Sequence, residues 1–365
     1  MGNLSFQKLK AFFDKYESKL AALTLVFGFI FDYLTLQRVD FLVDNLFIIT
    51  YLILSGASII IIDLYEDSRL KGWFFDKIYD FLPFIIQFCF GGLFSAFVIF
   101  YSKSASLLTS GVFVLILLFL LVGNEFFKKR YSKLVFQVGI YFVALFSFFI
   151  YFLPVLTRKM GALIFLGSGA ISLILIGIFI FVIFYLDPER YEKENEKVLF
   201  LTIFGLYASM NILYFANIIP PIPLSLKIGD VYHLVERQEN GNYLAMGERN
   251  TWREKFELSQ DLHLPVGKSA YVFSSVFAPT DLTIEIIHDW QYFDETEDMW
   301  VSINQVSFPI RGGRNEGYRG FSRKDNVILG KWRVDIKTDR DQVIGRVRFD
   351  VKRADTPPTL ETETI

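Results

Sequence analysis

The stretch Ala216–Asp230, ANIIPPIPLSLKIGD, is where the chain changes character. Pro220, Pro221 and Pro223 cannot continue a helix and favour a stiff, extended path. Before them the sequence is built from long apolar runs. After them it is built from short segments in which apolar and polar residues alternate. These two patterns call for different folds on the two sides of one linker, which the reading places at residues 223–229.

Hydrophobic residues make up 53% of the chain and charged residues 21%, too apolar for an ordinary soluble protein, and the excess precedes the prolines. A helical membrane crossing takes about 20 apolar residues. Seven runs approach that length: Leu20–Leu36, Phe41–Ile62, Phe81–Tyr101, Ser106–Gly123, Leu134–Leu156, Gly161–Leu186 and Val198–Ile222. They predict an all-α seven-helix transmembrane bundle over residues 20–222, behind a cytoplasmic leader at 1–19. The leader is amphipathic and lacks a small-residue cleavage site, so the first run reads as a retained span rather than a signal peptide.

The connectors between runs are unequal in charge. Fourteen basic residues lie on alternate connectors: Lys8, Lys10, Lys15 and Lys19, then Arg69, Lys71 and Lys77, then Lys128, Lys129, Arg130 and Lys133, then Arg190, Lys193 and Lys197. The other connectors hold four, Arg38, Lys103, Arg158 and Lys159. Lys- and Arg-rich loops stay in the cytoplasm, so seven crossings predict a cytoplasmic N-terminus and an extracytoplasmic chain from residue 223 onward.

Ionisable residues inside a membrane are costly and mark sites. Asp32 lies near the outer end of the first run, Asp44 at the start of the second, and Arg38 between them. The trio reads either as an outward-facing cation or proton site, or as an interfacial cluster in which Arg38 neutralises one carboxylate and water reaches the other. Gly92 with Ala96, and Ser168 with Ser172, are small residues at helical spacing that let helices approach closely.

Beyond the linker, Lys331–Lys337 and Arg346–Lys352 alternate apolar and charged residues around the polar turn TDRDQ, which predicts a hairpin. Further strands are predicted at Val231–Arg237, Tyr243–Met246, Ala270–Phe277, Leu282–His288 and Met299–Phe308, with a hairpin turn at Asn240–Gly241. One-sided apolar faces at short spacing predict an all-β antiparallel sandwich, Ig-like or jelly-roll-like, of about seven strands over residues 230–353. Residues 250–262 read as ambiguous, compatible with a short helix, and the acidic tail 354–365 reads as disordered. The fold class is thus a multidomain membrane protein.

The linker IPPIPLSL (219–226), the strand entry VFAPTDL (276–282), HDW (288–290) and the closing GKWRVDI and VIGRVRFDV (330–336 and 343–351), taken in order, resemble the bacterial domain-of-unknown-function family 2914 over about residues 220–353. The resemblance implies an envelope protein with a β-rich terminal domain behind a membrane region, and it supplies no activity. With the topology above, it places the chain in the bacterial cytoplasmic (inner) membrane with a periplasmic or otherwise extracytoplasmic domain.

The segment RGGRNEGYRGFSRK (311–324) sets Arg311, Arg314, Arg319, Arg323 and Lys324 among glycines, with Tyr318 and Phe321. Arg forks and aromatic faces suit anionic sugars or phosphates, so this is the candidate ligand-binding segment; the other reading is a solvated loop pinned by its aromatics. The acidic run Asp294–Asp298 lacks the spacing of a Ca²⁺ loop, and His233, His263 and His288 match no zinc pattern, so no metal or cofactor is expected. Cys89, inside the third run, is the sole cysteine. Nucleic acid is not an expected partner, because the chain from 224 onward holds 19 basic against 23 acidic residues. No catalytic motif appears, so no enzyme is expected. Two functions remain: a membrane anchor for an extracytoplasmic domain that binds an envelope glycan or partner protein, or a transporter or channel with an accessory domain.

Overall fold

A computed structural model of the chain describes residues 26–36, 39–79, 81–104, 111–126, 134–188, 196–248, 259–265, 267–279, 282–313, 317–354 and 358–365. It divides into a helical unit and a second unit that holds the β-strands, Tyr214–Ile365, together with the segments Ser102–Gly111 and Pro154–Gly161.

Eight helices fill the described N-terminal part: α1 (Val26–Thr35), α2 (Leu42–Glu66), α3 (Trp73–Tyr79), α4 (Leu82–Ser104), α5 (Gly111–Phe126), α6 (Leu134–Thr157), α7 (Ala162–Leu186) and α8 (Glu196–Phe215). Five of them, α2, α4, α6, α7 and α8, are long and apolar enough to cross a membrane. Against the expectation of seven, five are found among the described residues. At about 1.5 Å of rise per residue, the described parts of α1 and α5 span roughly 15 and 24 Å, against a hydrocarbon core of about 30 Å, and each adjoins residues outside the described part. The predicted leader 1–19 lies outside the described residues.

The small residues of this unit receive aromatic rings. A Cβ on Gly92 would lie 2.7 Å from the Tyr51 ring, one on Gly56 2.7 Å from the Tyr141 hydroxyl, and one on Gly169 2.7 Å from the Tyr207 ring. Ser168 Oγ donates to the Phe149 carbonyl at 2.9 Å, joining α7 to α6. These contacts are the close approach expected of small residues between helices without a hydrophobic drive to associate.

The β unit holds eleven strands among the described residues: β1 (Ser225–Tyr232), β2 (Leu234–Arg237), β3 (Tyr243–Glu248), β4 (Gln260–Leu264), β5 (Ala270–Phe277), β6 (Thr283–Asp294), β7 (Met299–Arg311), β8 (Tyr318–Lys324), β9 (Gly330–Thr338), β10 (Val343–Arg353) and β11 (Leu360–Thr364). They form three sheets, ordered β1-β5-β8, β4-β10-β9-β6-β7 and β11-β3-β2. The pairings are antiparallel except β4 on β10, which is parallel.

The main core lies between the five-stranded sheet and the β1-β5-β8 sheet, where Trp290, Trp332, Val334, Ile336 and Phe349 meet Val231, Ala270, Val272 and Val276. Trp290 sits edge-on to Trp332 and Phe349 with centroids 6.5 and 6.1 Å away, the arrangement aromatic quadrupoles favour. The odd residues of β5 point the other way. Tyr271 and Phe273 join Tyr232, Val235, Tyr243 and Ala245 in a second core. A third sheet therefore covers β5 from behind, and the two-layer Ig-like or jelly-roll-like expectation gives way to sheets on both faces of one central strand.

The tail expected to be disordered forms β11, paired with β3 from Leu360↔Glu248 to Thr364↔Leu244. Its composition misleads because every β11 side chain is exposed. The pairing rests on backbone bonds, which composition does not record. Of the ambiguous stretch 250–262, residues 250–258 lie outside the described part and the rest begins β4.

Candidate functional site

The segment singled out at 311–324 is mostly strand. Arg311 closes β7 at an exposed position, and Arg314 lies outside the described residues. From Tyr318 to Lys324 the chain is β8, paired with β5 throughout. A strand sends alternate side chains to opposite faces. Tyr318 packs on the main core and Phe321 on the second. Arg319 Nη1 donates to Asn242 Oδ1 at 3.4 Å. Arg323 lies 5.8 Å over the Tyr271 ring and donates to Asp325 at 2.7 Å, while Lys324 Nζ donates to the Asp325 carbonyl at 3.4 Å. Arg319, Phe321 and Arg323 share the face of β8 that meets the second core, while Tyr318 faces the main core. The glycines that suggested flexibility serve packing instead, for a Cβ on Gly320 would lie 2.7 Å from the Phe308 ring.

In the helical unit Asp32 is half-buried beside Ser95 of α4, and Asp44 is buried in the first turn of α2, within electrostatic range of Tyr151. Arg38 lies outside the described residues. The acidic run makes the β6–β7 turn, where Asp294 Oδ1 accepts the Thr296 amide at 2.8 Å.

The structure gathers two sets of residues that sequence spacing did not connect. His288, wholly buried, lies 2.7 Å from Ser274 Oγ by Nε2 and 2.8 Å from Ser322 Oγ by Nδ1, and Trp290 Nε1 donates to the same Ser322 hydroxyl at 2.9 Å. A neutral imidazole has one donor and one acceptor nitrogen, and a hydroxyl serves either. Burial pushes the His288 imidazole down to about 3. The network ties β6 to β5 and β8 through the core, with no access for a substrate.

Glu248, at the end of β3, is held by His233 Nε2 at 2.9 Å and His263 Nδ1 at 2.7 Å. Burial alone would raise its carboxyl, but the bonds from both histidines and from the His263 amide bring it down to about 2. A cavity of about 230 Å³ opens beside it, lined also by Asp230, Asp261, Glu361 and Glu363. Each of the first three acids named has a neighbour: Glu248 its histidines, Asp230 the Val231 amide, and Asp261 the Lys352 ammonium. Glu363 accepts the Tyr232 hydroxyl at 2.7 Å. Among the described residues no three His, Cys, Asp or Glu side chains are placed to hold a metal ion.

The most distinctive surface is the outer face of the five-stranded sheet. Register places Phe293 opposite Trp300, Gln291 opposite both Ser302 and Arg333, Arg333 opposite Arg348, and Asp335 opposite Arg346. Arg346 grips Asp335 with two bonds of 2.5 and 2.6 Å. Lys337 Nζ bridges Asp289 at 3.0 Å and Asp341 at 2.7 Å. Asp289 also accepts Ser302 Oγ and Gln291 Nε2, and although burial opposes it, these bonds and Lys337 hold its carboxyl below the usual range. This half of the face is a closed polar network. The other half is aromatic and basic. Arg333 lies 4.5 Å over Trp300, Lys331 lies 5.4 Å over Phe293, and the two rings are 5.1 Å apart, tilted by 59°. Sequence alone assigned these residues only to the polar side of two strands, because their convergence depends on register between four strands.

The class the architecture defines is a β-rich domain preceded by several membrane-length helices. The family described as Protein of unknown function (DUF2914) matches residues 284–351, which run from β6 to β10 and supply four of the five strands of that sheet. The match agrees with the resemblance read from the closing hairpin, while IPPIPLSL and VFAPTDL fall outside it. No curated protein matches the chain. Among solved structures, Pseudomonas fluorescens alkylpurine DNA glycosylase AlkC bound to DNA containing an abasic site analog aligns over 87% of this chain and 99% of that one, at 9% identity and a TM-score of 0.22. At that score the likeness carries no argument.

Proposed function

We propose that the helical unit anchors the β domain in the bacterial cytoplasmic membrane and displays it on the extracytoplasmic side, where it binds an envelope component. The observation that carries this is the succession of five membrane-length helices followed by a β domain with a large core of its own. An anchor needs apolar length; a displayed domain needs to be self-sufficient. The asymmetry of the connectors supports the orientation. With only the five long helices crossing, thirteen of the same eighteen basic residues fall on the N-terminal side and five on the other. Five crossings, like seven, are odd in number, so the termini stay on opposite sides. The binding role is supported by the aromatic and basic end of the five-stranded sheet, where Phe293, Trp300, Arg333 and Arg348 are half-buried and Lys331 is exposed.

The test is a phosphatase reporter, active only outside the cytoplasm, fused after Ile365. Activity is expected there, and a second fusion after residue 188 should be inactive. An inactive fusion at Ile365, with a cytoplasmic fluorescent reporter bright at the same site, overturns the orientation.

A further inference from the structure

We propose that the aromatic and basic end of the five-stranded sheet, formed by Trp300, Phe293, Lys331, Arg333 and Arg348, binds a uronate-bearing polysaccharide. This rests on the displayed-domain reading and gives that domain its ligand class.

The chemistry begins with Arg333. Its guanidinium lies 4.5 Å over the Trp300 ring, and its Nε donates to Gln291 Oε1 at 2.7 Å. The planar group is thus fixed before any ligand arrives, and its two terminal Nη groups take no bond among the described residues. A planar fork of this kind matches a carboxylate with two parallel bonds. Pre-ordering matters, because a rotamer-rich side chain otherwise loses conformational freedom when immobilised on binding.

Charge points the same way. Arg333 and Arg348 face each other directly across β9 and β10, and like charges in that position oppose the sheet. Burial, Arg346 and Arg348 all work against the charge on Arg333. Asp335 is already engaged by Arg346 with two bonds, and Asp350 lies opposite Lys331. Lys331, Arg333 and Arg348 therefore gather beside Asp350, while the carboxylates of the acidic β6–β7 turn border the site beyond the Phe293–Trp300 pair. An anion at this place relieves the repulsion.

The Trp300 and Phe293 rings lie beneath Arg333 and Lys331, so what they offer a sugar ring is the apolar edge each leaves beside its cation. Four strands spaced about 4.8 Å apart give a flat platform roughly 15 Å across, wide enough for consecutive sugars of a polymer. Strand addition by a peptide is confined to the edge strand β7: the other three contributing strands, β6, β9 and β10, are interior to the sheet, so their backbone is already paired.

The experiment uses the full chain in nanodiscs of zwitterionic lipid, titrated with polygalacturonate oligomers, with dextran as the uncharged control and followed by tryptophan fluorescence. Polygalacturonate is expected to bind and dextran not to. Raising salt from 50 to 500 mM should weaken binding several-fold. Trp300→Ala and Arg333→Gln should each weaken it at least tenfold with the circular dichroism spectrum unchanged. Arg333→Lys, which keeps the charge and loses the fork, should also weaken it, and Arg323→Gln on β8 should bind like the parent. Absence of polygalacturonate binding, equal binding by Arg333→Gln, or binding to anionic-lipid vesicles alone overturns the proposal. An active reporter at Ile365 together with any of these results leaves the displayed domain standing and removes only the ligand.

Discussion

His288 shows what one side chain does to the acid stability of the whole β domain. Its imidazole is neutral, buried and bonded on both nitrogens to serine hydroxyls, and burial pushes it down to about 3. In the unfolded chain it titrates near 6.5. Between those values the unfolded state takes up a proton that the folded state refuses, so its stabilising contribution is complete above pH 6.5 and shrinks as pH falls. The slope is at most about 1.4 kcal/mol per pH unit. Glu248 adds a loss at lower pH: its folded carboxyl is depressed to about 2, so its contribution holds above the ordinary glutamate range and is lost as pH falls through about 2. The melting temperature of the solubilised protein should therefore decline from pH 6.5 to 4.5. His288→Gln should melt lower at pH 7 but show a flatter profile over that window. A profile as steep as the parent's would refute this account. The sequence gives His288 a strand position beside Trp290 but hides its partners. Ser274 and Ser322 lie 14 and 34 residues away, and no local pattern encodes such a distance.

Among the elements, those with one apolar and one charged face were legible and those without were not. β5 was read at its observed bounds, and the β9–β10 hairpin within three residues, because alternation and turn chemistry report directly on them. β8 was read as a loop because glycines and arginines mask its alternation, and β11 as disorder because it has no buried face. What β11 does have is backbone pairing: the amides of Tyr243 and Ile365 each donate to the other's carbonyl at 2.9 Å, and Glu363 accepts the Tyr232 hydroxyl. Deleting residues 358–365 should speed hydrogen exchange at Tyr243 by about tenfold or more, which corresponds to roughly 1.4 kcal/mol of lost local protection. Amides of β9 and β10 should exchange as before. Unchanged protection at Tyr243 would mean that β11 contributes nothing to β3.

For the whole molecule, the division at the prolines was legible and the domain limits were not. Ile219, Ile222 and Leu224 are each 2% exposed or less, and β11 ends the fold near Ile365. The self-sufficient piece is then wider than the alternating strands suggested, at both ends. Residues 217–365 expressed alone should fold into a soluble β domain with cooperative melting, whereas 230–353 should melt at lower temperature or aggregate. A helical circular dichroism spectrum from the longer piece, or equal stability of the two, would refute this.

The free edge of the five-stranded sheet has a consequence for crowding. β7 is an edge strand of 13 residues with an extra residue, Ile303, opposite the Trp290–Gln291 step of β6, and it carries Pro309, which has no amide hydrogen to offer a neighbour. A long, flat edge would invite the same edge of the next copy, and tethering copies to one bilayer raises their local concentration greatly. The bulge and the proline interrupt that template, so the domains can stand densely side by side without zipping into fibrils.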